Sequence, residues 1–106
     1  MKPARLRPRA KEDLSDQAWY YADVAGEVLA SRFLDESLAA LATIERNPGV
    51  GSTRWSGPDT TEPLRAWRVE RFPVVWLYFE RDDHVDVARL LGQRQDIAAI
   101  LGADLD

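Results

Sequence analysis

The longest apolar run in the chain is FPVVWLYF, Phe72 to Phe79, eight residues that include Pro73. From Val74 to Phe79 the side chains are apolar on both sides of a period of two. That pattern belongs to a central strand covered on both faces. A fold for this chain must therefore place the segment inside a sheet and find cover for two surfaces. Eight residues are far short of a membrane span. The 106 residues allow one domain, 1–106, with a core that needs no disulfide or metal to hold it.

Around this strand the hydrophobic period changes twice. Residues 3–8 alternate Ala4 and Leu6 with Arg5 and Arg7, which predicts a short strand bounded by Pro3 and Pro8. From Ala10 the spacing becomes three and four: Ala10, Leu14, Ala18, Tyr21, Ala22 and Ala25 form a helix stripe over 10–25. Glu12, Asp13 and Asp16 fall in its first turns, where the helix dipole favours acids. Gly26 marks the break. A second helix over 28–46 carries Phe33, Leu34, Leu38, Leu41 and Ile44 and stops at Asn47-Pro48-Gly49. Residues 48–63 read as a loop, with six Gly or Pro among sixteen residues and Trp55 in the middle. Strands follow over 64–71, 74–80 and 85–91, the last two joined by the polar turn Arg81 to His84. A short helix over 93–101 offers Ile97, Ile100 and Leu101. The order is β-α-α-β-β-β plus a short helix. This is an α+β layout with a helical hairpin on one face of a mostly antiparallel sheet. The other face is expected to stay open except where the last helix or a partner covers it.

Composition narrows the chemistry. There is no cysteine, which excludes a disulfide scaffold, a thiolate metal site and a Cys nucleophile. His84 is the single histidine, it lies in a turn, and it reads as a solvated residue rather than a base. No cofactor or metal is expected. The net charge is −4 and the pI about 5.0, which argues against a surface that grips nucleic acid as a whole. Arginine outnumbers lysine 12 to 2, a bias that genomic base composition explains and that also supplies planar forks for partner contacts. Residues 12–45 carry eight acids against the single base Arg32, whereas residues 54–94 carry seven arginines among a similar number of acids. The basic start, Met1 to Lys11, has no apolar run behind it. The chain is read as soluble and cytoplasmic.

Taken in order, four stretches resemble the ParE branch of the RelE/ParE toxin superfamily. They are LRPRAKEDLSDQAWYYA at 6–22, RFLDESLAALATIERNPGVG at 32–51, LRAWRVERFPVVWLYF at 64–79 and VDVARLLGQRQDI at 85–97. The resemblance implies the toxin of a type II toxin-antitoxin system, held inactive by a ParD-like antitoxin of the ribbon-helix-helix type. It also implies growth inhibition through DNA gyrase, exerted by binding rather than by an enzyme activity. RelE-like relatives instead cleave mRNA on the ribosome, with cations for phosphoryl charge and a tyrosine for the proton. Arg68 and Arg94 fall at two of their arginine positions. The tyrosine position falls near Ile100, and both lysines, Lys2 and Lys11, lie outside the loop. A third possibility is a non-toxic relic that persists by binding an antitoxin, since the segment Gly92-Gln93-Arg94-Gln95-Asp96 lacks the histidine common at the end of the last strand.

On this reading no residue is catalytic. Trp55, Arg65, Trp67, Arg68 and Arg89 are the candidates for antitoxin contact, and Arg68 and Arg94 for contact with the target. The plainer alternatives are core packing for Trp67 and Trp76, and ion pairs to Glu70, Glu80 or Asp96 for Arg68 and Arg94. Trp19, Tyr20 and Tyr21 are read as core and hairpin packing.

Overall fold

The first helix starts two residues before its apolar stripe. Pro8 takes the first helical position of α1 (Pro8–Ala25), where its fixed φ fits and its missing N–H leaves nothing unpaired. Glu12 and Asp13 therefore miss the first turn, which holds no acid, and the dipole explanation for them falls away. Gly26 alone joins α1 to α2 (Glu27–Arg46). Its φ of 93° lies in the region that favours glycine, and this lets the chain reverse in one residue. Asn47 ends α2, and Pro48–Val50 form a 3-10 turn within the expected loop.

In the computed structural model the described residues are 1–56, 61–93, 97, 99 and 100. Three further strands complete the sheet: β2 (Arg65–Arg68), β3 (Val74–Glu80) and β4 (Val85–Gly92), with β1 at Ala4–Leu6. The order is β1-β4-β3-β2, with β1 parallel to β4 and the other pairs antiparallel. The doubly apolar segment is thus an inner strand, as its pattern requires. The expected strand at 64–71 is shorter, because Glu70 and Arg71 belong to the turn into β3. Of the expected last helix, Gln93 is a turn residue and Ile97, Ala99 and Ile100 are helical; Arg94, Asp96 and Leu101 lie outside the described residues.

The two faces of β3 feed two cores. Val74, Trp76 and Tyr78 face the hairpin and pack with Phe33, Leu41 and Ile44 of α2. The Trp76 indole also donates to the backbone carbonyl of Ser37 at 2.9 Å. Val75 and Leu77 face the other way and pack with Leu64, Leu91 and Ile97, while Trp55, Phe79 and Ile100 lie against them. This second face is not open. Val75, Leu77 and Leu91 are 6%, 0% and 1% exposed. Trp55 and Ile97 close its middle, and the guanidinium groups of Arg7 and Arg81 lie 5.6 and 4.7 Å from the Phe79 ring. The expectation of a sheet face awaiting a partner is therefore corrected: the chain covers it by itself.

One irregularity moves a candidate residue. β3 and β4 shift register between Leu77 and Tyr78, so that Leu77 opposes Arg89, Tyr78 opposes Val87, and Ala88 opposes nothing. A bulge of this kind adds one residue to one strand and re-aims its neighbours.

Candidate functional site: a strand edge and a helical hairpin

The sheet ends at β1 on one side and β2 on the other. An edge strand presents unpaired N–H and C=O groups unless something covers them. At β1 the covering group is Glu45 of α2, whose carboxylate accepts the Ala4 N–H at 2.7 Å. At β2 the cover is partial. Ser52 exchanges two backbone hydrogen bonds with Ala66, at 2.9 and 2.8 Å, as the chain crosses the edge. The Ser52 turn is fixed from beneath by Tyr78. Its hydroxyl donates to the Pro48 carbonyl at 2.7 Å and accepts the Gly51 N–H at 2.9 Å. Burial pushes the Tyr78 hydroxyl above its ordinary pKa, which keeps it protonated as this donor.

Beyond Ser52 nothing among the described residues covers the edge at Arg68. This residue is exposed and lines two grooves. On the hairpin side lies a trough of about 390 Å³ between α2 and β2, with Ala39, Ala40, Thr43, Trp67 and Val69 along it and Glu36, Glu70 and Arg71 at its rim. On the opposite side lies a groove of about 520 Å³ with Arg54, Trp55, Val75 and Ile97. Arg71 turns the chain from β2 into β3 with φ at 71°, an uncommon value for a residue with a side chain. Among the described residues no carboxylate pairs with Arg54, Arg68 or Arg71, so the expected ion pair of Arg68 with Glu70 or Glu80 does not form.

The other candidates are placed differently. Arg89 is corrected from a rim charge to an internal one. It is 7% exposed, and its guanidinium grips Asp13 of α1 through two hydrogen bonds of 2.7 and 3.0 Å. Asp13 also accepts the Leu90 N–H at 3.0 Å, and Gln17, one turn on, donates to the Leu90 carbonyl at 2.8 Å. Together these bonds tie α1 to the backbone beside the bulge. Arg65 ties the loop: its Nη1 donates to the carbonyls of Gly51 and Gly49 at 2.9 and 3.3 Å. Trp67 is half-buried on the trough wall, and Trp55 is half-buried under the Arg54 guanidinium, 4.8 Å from its ring. Arg94 lies outside the described residues.

A second surface carries Trp19, Tyr20 and Leu38, which the sequence reading places inside, together with Val24 and Val28. Trp19, Tyr20, Val24 and Val28, at the Gly26 end of the hairpin, are 74%, 60%, 58% and 80% exposed, and Leu38 further along α2 is 54% exposed. Tyr21 alone of the aromatic triplet turns inward, against Phe33 and Phe72 at about 5 Å. Between α1 and α2, on the side away from the sheet, Ala18, Ala22 and Ala30 form the floor of a groove walled by Leu14, Trp19 and Leu34.

A family model described as the ParE toxin of the type II toxin-antitoxin system, parDE, matches residues 4–97. The chain belongs to the ParE toxin family. Its fold is also that of a solved structure titled "Chromosomal ParDE TA system from P. aeruginosa". That likeness has a TM-score of 0.72 at 16% identity and covers 87% of this chain and 96% of the other. No curated protein matches.

Two surfaces of this chain stand open: the β2 edge, where Arg54 and Arg68 pair with no carboxylate among the described residues, and the outer side of the helical hairpin, with its exposed apolar side chains. Among the described residues no helix is long and apolar enough to cross a membrane, and no group of three or more His, Asp or Glu is placed to hold a metal ion. A signal for the exposed aromatics is present in the sequence. Trp19, Tyr20 and Tyr21 are consecutive, and one face of a helix cannot bury three neighbours 100° apart.

Proposed function

We propose that this chain acts in the cytoplasm as the growth-inhibiting toxin of a parDE-type module. A cognate antitoxin holds it inactive by covering the hairpin. The observation that carries this reading is the outer side of the hairpin, where the exposed Trp19 walls a groove with Leu14 and Leu34 and Tyr20, Val24 and Val28 are exposed at the same end: single exposed apolar side chains are ordinary, but such a group marks an interaction site. The groove suits an amphipathic helix laid along it. Each large side chain covered contributes about 1.5–3 kcal/mol. The six acids of residues 12–45 other than Asp13 and Glu45, which are engaged within the chain, favour a partner with basic residues flanking its apolar stripe. The target we propose is DNA gyrase, engaged by binding, with Arg68 as the contact of choice and Arg94 as a second. Family membership supports this target. The placement of both lysines outside the loop, with Ile100 at the tyrosine position, supports binding over RNA cleavage.

The test is induced expression with and without the small gene beside it, scoring growth, filamentation and the DNA-damage response. Growth arrest with that response, relieved by the neighbour, is expected. Codon-specific cleavage of ribosome-bound mRNA, abolished by Arg68→Ala, would replace this reading with the endoribonuclease one. No growth effect beside tight binding of the neighbour's product would make the chain a relic.

A further inference from the structure

Gly26 is the whole of the joint between α1 and α2. The helical hydrogen bonds nearly run through it. The Gly26 N–H donates to the Ala22 carbonyl at 3.1 Å, and the Gly26 carbonyl accepts the Ala30 N–H at 3.2 Å. Both have the spacing of α-helix bonds. Between them a continuous helix would add only the bonds from Glu27, Val28 and Leu29 back to Asp23, Val24 and Ala25. Among the described residues no backbone bond links these groups, and α2 starts without a side-chain cap. What stops the helix is one pair of angles, φ 93° and ψ 168° at Gly26, a conformation open to glycine and costly to other residues. The residues on either side, Asp-Val-Ala and Glu-Val-Leu, contain no breaker. Glycine is also the weak point of a continuous helix, so residue 26 sets the balance between the two shapes.

We propose that this chain has a second state, a dimer with another copy of itself, in which α1 and α2 run on as one helix and residues 1–25 are exchanged between the copies. The contacts that hold this segment are ones a second copy reproduces. β1 pairs in parallel with β4, Asp13 grips Arg89, and Tyr21 packs on Phe33 and Phe72. Each half of the dimer keeps that core, so exchange needs no new complementary surface. The exposed Tyr20, Val24 and Val28 flank the joint. In the single chain they stand at the free end of the hairpin. In the exchanged pair they stand where the two long helices cross, near the same residues of the second copy. The groove between α1 and α2 re-forms twice, each time with Ala18 and Trp19 from one copy and Ala30 and Leu34 from the other. The proposal is therefore independent of what binds that groove. One term opposes it: Asp23 and Glu27 would stand four apart on the continuous helix, a like-charge pair that salt screens.

The experiment is refolding of the full chain from urea at high and at low concentration, with molecular mass read by light scattering. A dimer that forms at high concentration and persists after dilution is expected, because its separation requires each exchanged segment to leave a folded core. Added salt should raise its yield. Gly26→Ala should tighten the dimer by at least about tenfold, since alanine is penalised in the turn and favoured in the helix. Insertion of Gly-Ser-Gly after Gly26 should abolish it, with circular dichroism showing that both variants fold. In dimers mixed from isotope-labelled and unlabelled natural chain, nuclear Overhauser contacts should join Tyr21 of one copy to Phe33 or Phe72 of the other; this readout decides even where Gly26→Ala does not fold. A dimer without those contacts is an ordinary association through exposed side chains and overturns the proposal. A natural chain that stays monomeric at high concentration overturns it as well, and so does a folded Gly26→Ala chain with no gain in dimer.

Discussion

The free face of the sheet and the outer side of the helical hairpin begin as equals. Both are apolar surfaces that the layered fold leaves without a second layer. The chain closes the first with residues of its own. Trp55 and Ile97 lie over Val75 and Leu77, and Arg7 and Arg81 stack on Phe79 while sharing Asp86. It leaves the second bare, with Trp19 and Val28 mostly in water. The difference separates two roles. Polar and aromatic contacts on the closed surfaces hold the fold, and changes there are expected to cost stability. Apolar groups on the open surface hold nothing within the chain, and changes there are expected to cost association.

The largest loss of stability is expected at the tie between α1 and β4. Asp13→Ala removes the acceptor of three hydrogen bonds, two from Arg89 and one from the Leu90 N–H. Loss of one partner of a buried ion pair costs about 3–5 kcal/mol. In a domain of this size each kcal/mol lowers the melting temperature by about 4–8 °C. A thermal melt should show a larger fall than any of the substitutions that follow. A shift under about 5 °C would place Arg89 back among the exposed charges.

Gly51→Ala should come next. A Cβ at this position would lie 2.6 Å from the Tyr78 hydroxyl and 2.9 Å from its ring. Tyr78 is fully buried and held at its tip, so it has little room to give. Overpacking of this kind costs about 1–3 kcal/mol. The midpoint of urea unfolding should fall accordingly. Relief is expected from Tyr78→Phe in the same chain, since it removes the nearest atom.

These two sites also show how much of the molecule is legible in the sequence. The change of period from two to 3.6 and back locates every strand and both helices, because burial on one side or two leaves that rhythm in the residues. The two apolar faces of β3 are equally legible. What covers them is not. Strict alternation through Val85, Val87, Arg89 and Leu91 would put all four on one side. The unpaired Ala88 instead sets Leu90 in the hairpin core with Val85 and Val87, and Leu91 in the other. A bulge carries no residue signature strong enough to read in one sequence, so the side of the strand that Arg89 and Leu91 take could not be foreseen. At the β2 edge, Arg68 and Trp67 stand out by position. That Arg68 pairs with no carboxylate among the described residues, although Glu36 and Glu70 line the same trough, is a fact of three dimensions.

Asp86→Asn tests the closed face with a smaller effect and a sign that depends on pH. The Arg7 guanidinium, bonded to both carboxylate oxygens at 2.9 Å, holds the Asp86 carboxyl below the usual aspartate range; burial opposes this, and Arg81 adds to it. A carboxyl depressed in the folded chain stabilises fully above the ordinary aspartate value. That contribution fades as pH falls through the folded one. Near neutral pH the variant should be less stable by about 1–2 kcal/mol, the range for hydrogen bonds to a charged group at a partly exposed site. Below about pH 4 the gap between the two proteins should narrow, since the Asp86 carboxyl of the unfolded chain then takes up its proton before that of the folded chain. A gap that stays constant from neutral to acid would mean that the carboxylate does not carry the closure.

The smallest effect on stability, and the sharpest contrast, belongs to Trp19→Ser. The indole is 74% exposed and walls the hairpin groove. Its removal takes little apolar surface out of the fold. It leaves no buried cavity and breaks no hydrogen bond made by the indole among the described residues. The substitution lies on a helix exterior where Ser and Trp have similar propensities. Stability should therefore change by no more than about 0.5 kcal/mol. Binding of the antitoxin should fall by more than tenfold, because aromatic side chains in the middle of an interface are its usual anchors. Asp13→Ala predicts the opposite pair of results, a large loss of stability with near-native affinity in whatever fraction stays folded. Measuring unfolding and antitoxin affinity on both variants tests the division directly. If Trp19→Ser destabilises the chain as much as it weakens binding, the hairpin surface belongs to the fold, and the antitoxin must be sought on the β2 edge alone.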